Sequence, residues 1–301
     1  MMSMRRSRAW LLFWMTVSTS LSGIGTAFLS VPVSPRELAL GGTSVSTLGD
    51  PSLYRGNPAL IVQSVPSMEI YFNYNSWFSN VTGSSLLVIQ PAFGGSAGLA
   101  LRHLGVSDLE LRTAVPTDGY LAQFSSSGTM LEGIWGKRFE KFGVGASVRL
   151  IRFDSYIYSS TGKSVDLGGW WQIIPERFTV GLALKQLGSM NEFIDQQPEI
   201  PLTTAAGATY LFGSGRDGSI RSSVTLGTEI SANHGTVVRM AGEVSFNSSR
   251  VTIGTRLSNQ VSAVAAGLNL AWRRFRIGYG VEVASHQLGI PHLFSIGFVL
   301  P

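Results

Sequence analysis

The residues whose type and spacing most resemble a catalytic site lie at positions 94–98, which spell GGSAG and fit the G-x-S-x-G motif of hydrolases. In such a site Ser96 would attack a carbonyl group from a sharp turn between a strand and a helix, with a histidine as its base. The next residues, GLALRHL, alternate between apolar and polar positions as a strand does, and they predict no helix. We therefore interpret the motif as a hairpin turn.

A second motif, GSGRDG at 213–218, fits the G-x-G-x-x-G pattern that holds a pyrophosphate at a helix N-terminus. It is followed by SIRSSVTLGTEI, which again alternates like a strand, so a turn is the better interpretation. The four histidines are scattered and form no i, i+4 pair at metal-ligand spacing. The sequence thus predicts no catalytic residue, no metal site and no cofactor, and we expect a protein that is not an enzyme.

The first 27 residues are typical of a secretory signal peptide. Three arginines among the first eight residues precede the apolar run AWLLFWMTV, and small residues ending in GTA reach position 27. A transmembrane anchor is the alternative, but the apolar run is only about half of the roughly 20 residues that a spanning helix needs. We expect the mature chain to begin near Phe28 and to be exported.

Composition narrows the class of the exported chain. Without the three arginines of the leader the formal charge falls from +5 to +2, and no basic tract remains that would bind nucleic acid. The absence of cysteine excludes disulfides and thiolate metal sites. Only 14% of the residues are charged and 35 are glycine, yet after the leader no segment approaches the roughly 18 apolar residues of a spanning helix. These features favour a membrane β-barrel.

Alternation with a period of two supports this class. In residues 142–150 one face of the predicted strand is apolar throughout, whereas the other carries Gly143, Gly145, Ser147 and Arg149. We predict fourteen such strands, an even number as in single-chain bacterial barrels. Their predicted bounds are 67–77, 83–91, 95–104, 128–138, 142–153, 163–173, 178–187, 201–212, 219–231, 236–247, 250–257, 261–272, 273–284 and 291–300.

A soluble β-sandwich would show similar alternation. Two observations favour the barrel: aromatic residues gather near strand ends, where a bilayer places its girdles, and small residues lie near the middle of the polar face. The small residues suit a crowded interior and are Gly168, Gly181, Gly207, Gly227, Ala241, Gly254, Gly267 and Gly278. We predict an all-β fold, a 14-stranded antiparallel transmembrane β-barrel that crosses the outer membrane many times and contacts its lipid.

Charged residues on the predicted inward face allow two interpretations. They would line a pore that draws anions, or they would pair across a filled lumen and hold a plug in place. The small inward residues favour the second. The main lumen charges are Arg102, Arg149, Arg239, Glu243, Arg274 and Arg276, and the same face is predicted to carry Lys185, Arg221, Arg250, Arg256, Glu69, Asp166, Glu229 and Glu282.

Residues 28–66 differ from the strands, because they show no clean alternation and few bulky side chains. Small residues let backbone pack closely against backbone. Asp50 followed by proline predicts a capped helical turn, and Pro58 pushes Asn57 toward an extended conformation. We predict that 28–66 form a compact hatch inside a barrel made by 67–301.

The stretch AFLSVPVSPRELALGGTSVSTLGDPSLYRGNPAL resembles the N-terminal hatch signature of the PorV/PorQ family, a branch of the long-chain fatty-acid transporter superfamily. The likeness continues in SYIYSSTGKSVDLGGWW, VGLALKQLG, EIPLTTAAGATYLF and GIPHLFSIGF, and it is closer to the PorQ branch than to the PorV branch. The residues that match the hatch signature are Ala39, Gly41, Gly42, Asp50, Asn57, Pro58 and Ala59.

The resemblance implies a non-enzymatic barrel in a type IX-like protein secretion and cell-surface attachment system, where it anchors or assists an extracellular partner. We expect that partner to dock on the two longest outer connections, predicted at 105–127 and 188–200. The alternative is a passive outer-membrane transporter of hydrophobic molecules such as fatty acids, in which the hatch moves and an apolar pocket binds the ligand.

Overall fold

The computed structural model describes residues 26–62, 67–112, 119–213, 220–232, 235–285 and 289–300. The predicted signal peptide lies outside these residues except for its last two positions, and so does most of the 213–218 motif. Among the described residues, no helix is long and apolar enough to cross a membrane.

Fourteen antiparallel strands form one closed barrel, which confirms the predicted fold class. Each strand pairs with its neighbours in sequence, and the first pairs with the last. The strands are β1 Met68–Ser76, β2 Thr82–Ala92, β3 Gly95–Leu111, β4 Ala122–Arg138, β5 Phe142–Ser155, β6 Tyr158–Ile174, β7 Phe178–Met190, β8 Thr203–Phe212, β9 Arg221–Ser231, β10 Gly235–Phe246, β11 Ser249–Leu257, β12 Ser262–Trp272, β13 Phe275–Ala284 and β14 His292–Leu300.

The predicted alternation is present in the wall. In β5 the apolar side chains of Phe142, Val144 and Val148 are exposed on the outside, whereas Gly145 and Arg149 are buried on the inside. The outside of the barrel therefore presents a continuous apolar surface of the kind that contacts lipid. The GGSAG motif is also placed as predicted, because Gly94 lies in a two-residue turn and Ser96 belongs to β3.

Several outer connections are shorter than predicted. The expected loop 105–127 is reduced to 112–121, because β3 continues to Leu111 and β4 begins at Ala122. The expected loop 188–200 becomes 191–202, and 154–162 shrinks to the two residues 156–157. The extra residues of β3 and β4 pair across a register shift between Val106 and Leu109, where Asp108 has a positive φ, so a period-two count does not reveal them. We call the end with these connections the outer end, since outer connections are the longer ones in such barrels.

Residues 26–62 lie inside the barrel, and we call them the hatch; positions 63–66 of the predicted hatch lie outside the described residues. They form a short helix, α1 Pro35–Ala39, and 3-10 turns at Ala27–Ser30, Pro51–Leu53 and Pro58–Ile61. The helix contacts β11 to β14 and the last turn contacts β3 to β6, so the hatch touches opposite sides of the wall. The Thr26 hydroxyl donates to the carbonyl of Glu199 in an outer connection, while the last residue, Val62, lies near Gly136 at the inner end. The hatch therefore runs the length of the lumen.

Local sequence explains the turns of the hatch. Asp50 has extended backbone and its carboxylate accepts from the Ser52 N–H, as predicted for a capped turn. Asn57 is also extended, with φ −160° and ψ 115°, as a residue before proline should be. Pro58 does more than end the preceding turn, because it begins a second 3-10 turn for which Asn57 is the cap.

Candidate functional site: the hatch and the lumen wall

Small inward residues of the wall leave room for the hatch backbone. A Cβ added to Gly145 would lie 2.5 Å from the Ala59 nitrogen, and one added to Gly254 would lie 2.5 Å from the Ala39 carbonyl oxygen. Real side chains do not approach so closely, so larger residues at these positions would displace the hatch. Glycine at the inward positions of the strands therefore indicates, in the sequence, that the lumen is filled.

Two motif glycines end α1 and turn the hatch along the wall. Gly41 and Gly42 have φ +63° and +83°, a conformation that favours glycine. Their N–H groups donate to carbonyls of the helix, 2.8 Å to Leu38 and 2.9 Å to Glu37. A Cβ on Gly41 would also lie 2.7 Å from the Thr255 carbonyl oxygen, so both the turn and the close approach require glycine.

Asn57 joins two parts of the hatch to the wall. Its side chain is fully buried, and its amide nitrogen donates to the carbonyls of Val45 at 2.8 Å and Gly169 at 2.9 Å. Its amide oxygen accepts from the Ala59 N–H at 3.0 Å. Ala59 is fixed in turn by Trp170, whose indole N–H donates to its carbonyl at 3.1 Å. The Asn-Pro-Ala motif thus has a structural role at the hatch–wall contact.

The strongest link between hatch and wall is an ionic cluster around Arg36, which we call the Arg36 lock. The guanidinium binds Glu243 of β10 through Nε and Nη2, both at 2.9 Å, and Asp50 of the hatch through Nη1 at 3.1 Å. Arg250 approaches the same Glu243 at 3.2 Å. Arg36 is only 2% exposed, so these contacts are made away from water.

The charge of Asp50 follows from this environment. Burial alone would raise the pKa of the Asp50 carboxyl, but the guanidiniums of Arg36 and Arg250 hold that pKa below its ordinary value. The carboxylate is therefore ionised at neutral pH and completes the Arg36 lock.

Other lumen charges pair within the wall. Arg149 of β5 binds Glu132 of β4 and Asp166 of β6, each at 2.8 Å, and it is 2% exposed. Asp166 also accepts from the backbone N–H of Gln186 at 2.7 Å, where the β6–β7 register shifts. This cluster joins four neighbouring strands and does not include the hatch. Two further groups are Lys185 and Arg239 on Glu229, and Arg256 on Glu282.

Most predicted lumen charges lie in the lumen, and one does not. The inward-facing residues include Arg149, Arg239 and Glu243, described above, and Arg102 of β3. Arg276 lines the inner end, where it donates to the carbonyls of Arg273 and Phe275. Arg274 was predicted wrongly, because β13 begins at Phe275 and leaves Arg274 exposed in the preceding turn.

Sequence reasoning missed two residues of these clusters, Arg36 and Glu132. Arg36 lies on a five-residue helix that is too short to show a period. Glu132 lies between inward Met130 and Ile134, so β4 is apolar on both faces and its polar inward face is hidden. Glu132 would have been found if Met130 and Ile134 had been assigned to the inward face as residues that pack on the hatch.

The outer end of the lumen is apolar. Leu29 of the hatch is fully buried among wall residues, with the partly buried Phe28 beside it. We call this the outer apolar cluster, and its members are Phe28, Leu29, Met130, Ile151, Phe153, Met190 and Ile200. The next inward residues of β4 and β5 below it are Glu132 and Arg149, so an apolar layer lies directly above a charged one.

Two arginines hold the hatch next to this cluster. Arg55 of the hatch donates to the carbonyl of Leu29, and Arg102 of β3 donates to the carbonyl of Val31 at 2.8 Å. Arg102 is 4% exposed. Within the described ranges neither arginine forms an ion pair. The two arginines thus hold the stretch 29–31 through neutral backbone carbonyls, in addition to the packing of Leu29.

Among the described residues, three cavities remain beside the hatch, and each is lined by charged residues of both signs. A cavity of about 210 Å³ lies between the hatch and the wall and is lined by both signs of charge, including Arg55, Glu229, Arg239 and Glu282. Two larger cavities, of about 680 and 580 Å³, lie against the inner parts of the hatch and the wall and are also lined by charged residues. In the part of the chain that is described, no group of acidic residues and histidines is arranged to hold a metal ion.

Comparison with known proteins identifies the fold. No family model and no curated sequence matches the chain. Among solved structures, the CymD monoaromatic hydrocarbon channel superposes with a TM-score of 0.60 at 12% identity, over 90% of this chain and 97% of that one. The toluene transporter TodX of Pseudomonas putida gives a TM-score of 0.56 at 10% identity, over 87% and 95%.

These likenesses show a shared fold, that of a multi-pass outer-membrane β-barrel, and at this level of identity they show no more. The strands span residues 68–300, which is 233 of 301 residues or about 77% of the chain, so a match over 90% includes part of the hatch. Membership of the long-chain fatty-acid transporter superfamily stays a prediction, and so does membership of the PorV/PorQ family.

Proposed function

We propose that this protein is a passive outer-membrane transporter of small hydrophobic molecules. The observation that carries the proposal is the outer apolar cluster, an apolar site inside the lumen that the chain fills with its own Phe28 and Leu29. The proteins of similar fold are a monoaromatic hydrocarbon channel and a toluene transporter, which supports the same class of ligand.

The main cost of ligand entry is the release of hatch residues 29–31. Burying an aromatic or aliphatic side chain is worth about 1.5–3 kcal/mol, and a ring-sized ligand in the same place would gain a similar amount. Release of the stretch 29–31 would break the two bonds from Arg55 and Arg102, each worth about 1.5–3 kcal/mol because the donor is charged. Together the two bonds limit the cost of release to about 3–6 kcal/mol, and water that enters from the outer mouth lowers this cost.

The route of the ligand is limited by the layer below. Arg149, Glu132 and Asp166 form a buried charged layer that an apolar molecule would have to desolvate. The β7–β8 ladder, by contrast, ends at the pair Lys185–Thr203, although β7 continues beside the outer apolar cluster to Met190. We propose that ligand leaves the cluster sideways at this place, where only residues 191–202 cover the wall.

Binding of the fluorescent apolar probe N-phenyl-1-naphthylamine to the purified barrel tests the proposal. Ile151→Asn, in the outer apolar cluster, should weaken binding about tenfold, which corresponds to roughly 1.4 kcal/mol. Ile61→Asn is the matched control, because Ile61 is an equally buried isoleucine at the inner end of the hatch. Equal losses in the two variants, with both barrels folded, would contradict the proposed site.

The second candidate is the anchoring role in a surface secretion and attachment system. The observation in its favour is that the Arg36 lock fixes the hatch across the lumen while β3 to β7 rise above the other strands at the outer end. Such a ridge would present an extracellular partner with the connections 112–121 and 191–202, the shortened forms of the predicted loops 105–127 and 188–200.

Replacing 112–121 and 191–202 with short Gly-Ser turns tests this candidate. The barrel should fold and keep its wall, whereas co-purification of a secreted partner from native outer membrane should be lost. Unchanged co-purification would contradict docking at these connections. Replacement of the inner turn 139–141 in the same way is the control, since that turn lies at the other end of the barrel.

A further inference from the structure

Two inner hairpins of the barrel carry cations that have no carboxylate partner among the described residues. Lys137 and Lys141 flank the β4–β5 turn, and Arg273 and Arg274 form the β12–β13 turn. None of these four makes an ion pair among the residues that the structure describes. One carboxylate, that of Glu140, shares the two turns with them. The hairpins therefore present an excess of positive charge outside the lumen.

The outer end shows the opposite pattern. Arg112 pairs with Glu110 at 2.6 Å and Arg152 pairs with Asp154 at 2.8 Å, so two of its cations are neutralised by neighbours. The remaining described residues of the outer end carry more carboxylates than cations: Asp108, Glu192, Asp195 and Glu199 against Lys163. The excess of positive charge on the two hairpins is thus a property of the inner end and not of the whole surface.

Aromatic contacts place the cations at the depth of lipid headgroups. The Arg273 guanidinium lies 5.5 Å from the ring of Trp272, and the Lys137 ammonium lies 5.5 Å from the ring of Phe139. Trp272 is 62% exposed on the outside of the barrel. Aromatic girdles of membrane barrels lie at the interface between hydrocarbon and headgroups, so a cation stacked on such a ring is at the level of the phosphates.

We infer that the β4–β5 and β12–β13 hairpins bind the phosphate groups of anionic phospholipids in the periplasmic leaflet. Each basic residue near an anionic membrane surface contributes about 1 kcal/mol of attraction, which is roughly a fivefold preference. Glu140 opposes the phosphate and lowers the preference at its own hairpin. The inference does not depend on the proposed transport, because these residues lie outside the lumen.

Lipid retention measures this preference. The barrel is reconstituted with equal amounts of phosphatidylglycerol and phosphatidylethanolamine of the same acyl chains, extracted in mild detergent, and the lipids that remain bound are counted by native mass spectrometry. The wild type should retain phosphatidylglycerol several-fold over phosphatidylethanolamine. The variant Lys141→Ser, Arg273→Asn, Arg274→Ser should lose most of this excess. Asparagine is chosen at Arg273 because that residue has φ +54°, which asparagine tolerates.

The matched control removes three cations from the outer end, by Arg112→Ser, Arg152→Ser and Lys163→Ser, and should retain the wild-type ratio. If the triple variant folds poorly, Lys141→Ser with Arg274→Ser, which leaves the strained position untouched, should show an intermediate ratio. A wild-type ratio near one, or equal losses in variant and control, would overturn the inference. Displacement of lipid by inorganic phosphate beyond that by sodium chloride at equal ionic strength would also overturn it, because the ligand would then be free phosphate.

Discussion

The two ends of the hatch are held by arginines in different ways. In the Arg36 lock the guanidinium faces two carboxylates, Glu243 and Asp50, and all three groups are largely removed from water. At the outer end, Arg55 and Arg102 hold the stretch 29–31 through backbone carbonyls. Separation of a buried ion pair leaves a charge without compensation, whereas release of 29–31 separates guanidiniums from neutral carbonyls and admits water from the outer mouth to both groups. We therefore propose that the hatch is fixed at its inner part and releasable at its outer end.

The largest expected effect comes from breaking the Arg36 lock. Glu243→Gln removes one of the two carboxylates and leaves a buried guanidinium partly unpaired, which should cost about 3–5 kcal/mol of unfolding free energy. Denaturant unfolding of the barrel in detergent measures the loss. Asp154→Asn is the control, because it breaks the exposed pair with Arg152 and should cost about 0–1 kcal/mol. Similar losses in both variants would show that the Arg36 lock is not special.

Truncation of matched leucines sharpens the comparison between the two ends. Leu53 and Leu29 are both fully buried in the hatch, at its inner part and its outer end. Leu53→Ala should cost about 2–5 kcal/mol, as in a closed core. Leu29→Ala should cost less, because the stretch can detach, and it should strengthen binding of N-phenyl-1-naphthylamine. A larger loss for Leu29→Ala, or weaker probe binding, would argue against a releasable outer end.

The close fit of the inner hatch gives a smaller effect. Gly145→Ala places a methyl group against the Ala59 nitrogen and should cost about 1–3 kcal/mol through overpacking. A displaced hatch should also raise the ion conductance of the barrel in planar bilayers. Gly133→Ala is the control, because a Cβ there meets no atom within 4 Å. Unchanged conductance and stability in Gly145→Ala would contradict the tight packing.

The smallest expected effect is a dependence on pH. The folded pKa of Asp50 is lower than its ordinary value, so its ionised form stabilises the hatch above the unfolded pKa of about 4. This contribution is lost as the pH falls through the folded pKa. Thermal unfolding should thus show a loss of stability in acid that Asp50→Asn reduces, since the variant has no carboxyl to protonate. An acid transition identical in the two proteins would assign it to other carboxylates.

The wall was predictable because its lipid-facing residues alternate with small inward ones, as in β5. The upper parts of β3 and β4 were not, because a register shift between Val106 and Leu109 interrupts the alternation there. Arg274 was assigned to the lumen by parity, which has no meaning in a turn. Local signals did reveal the caps of the hatch at Asp50 and Asn57, since these depend on neighbours in sequence.

The function was harder to predict from the sequence, because the residues of the hatch signature have a role in packing. Asn57 and Gly41 fix the hatch in the lumen, and any barrel with a similar hatch would need them for the same purpose. They therefore separate a filled barrel from an open pore, but not a transporter from an anchor. The outer apolar cluster could have been sought from the inward Met130 and Ile151, which break the small-residue pattern of the lumen.

Cysteine labelling tests the central claim, a fixed inner hatch with a releasable outer end, most directly. The chain has no cysteine, so Leu29→Cys and Ser46→Cys each introduce a single thiol, and both positions are fully buried. Because the two side chains are equally buried in the structure, a difference between their maleimide labelling rates reports how readily each part of the hatch opens. The thiol at position 29 should react many times faster than that at 46, and faster still with N-phenyl-1-naphthylamine present. Equal rates, or protection of position 29 by the probe, would contradict the claim.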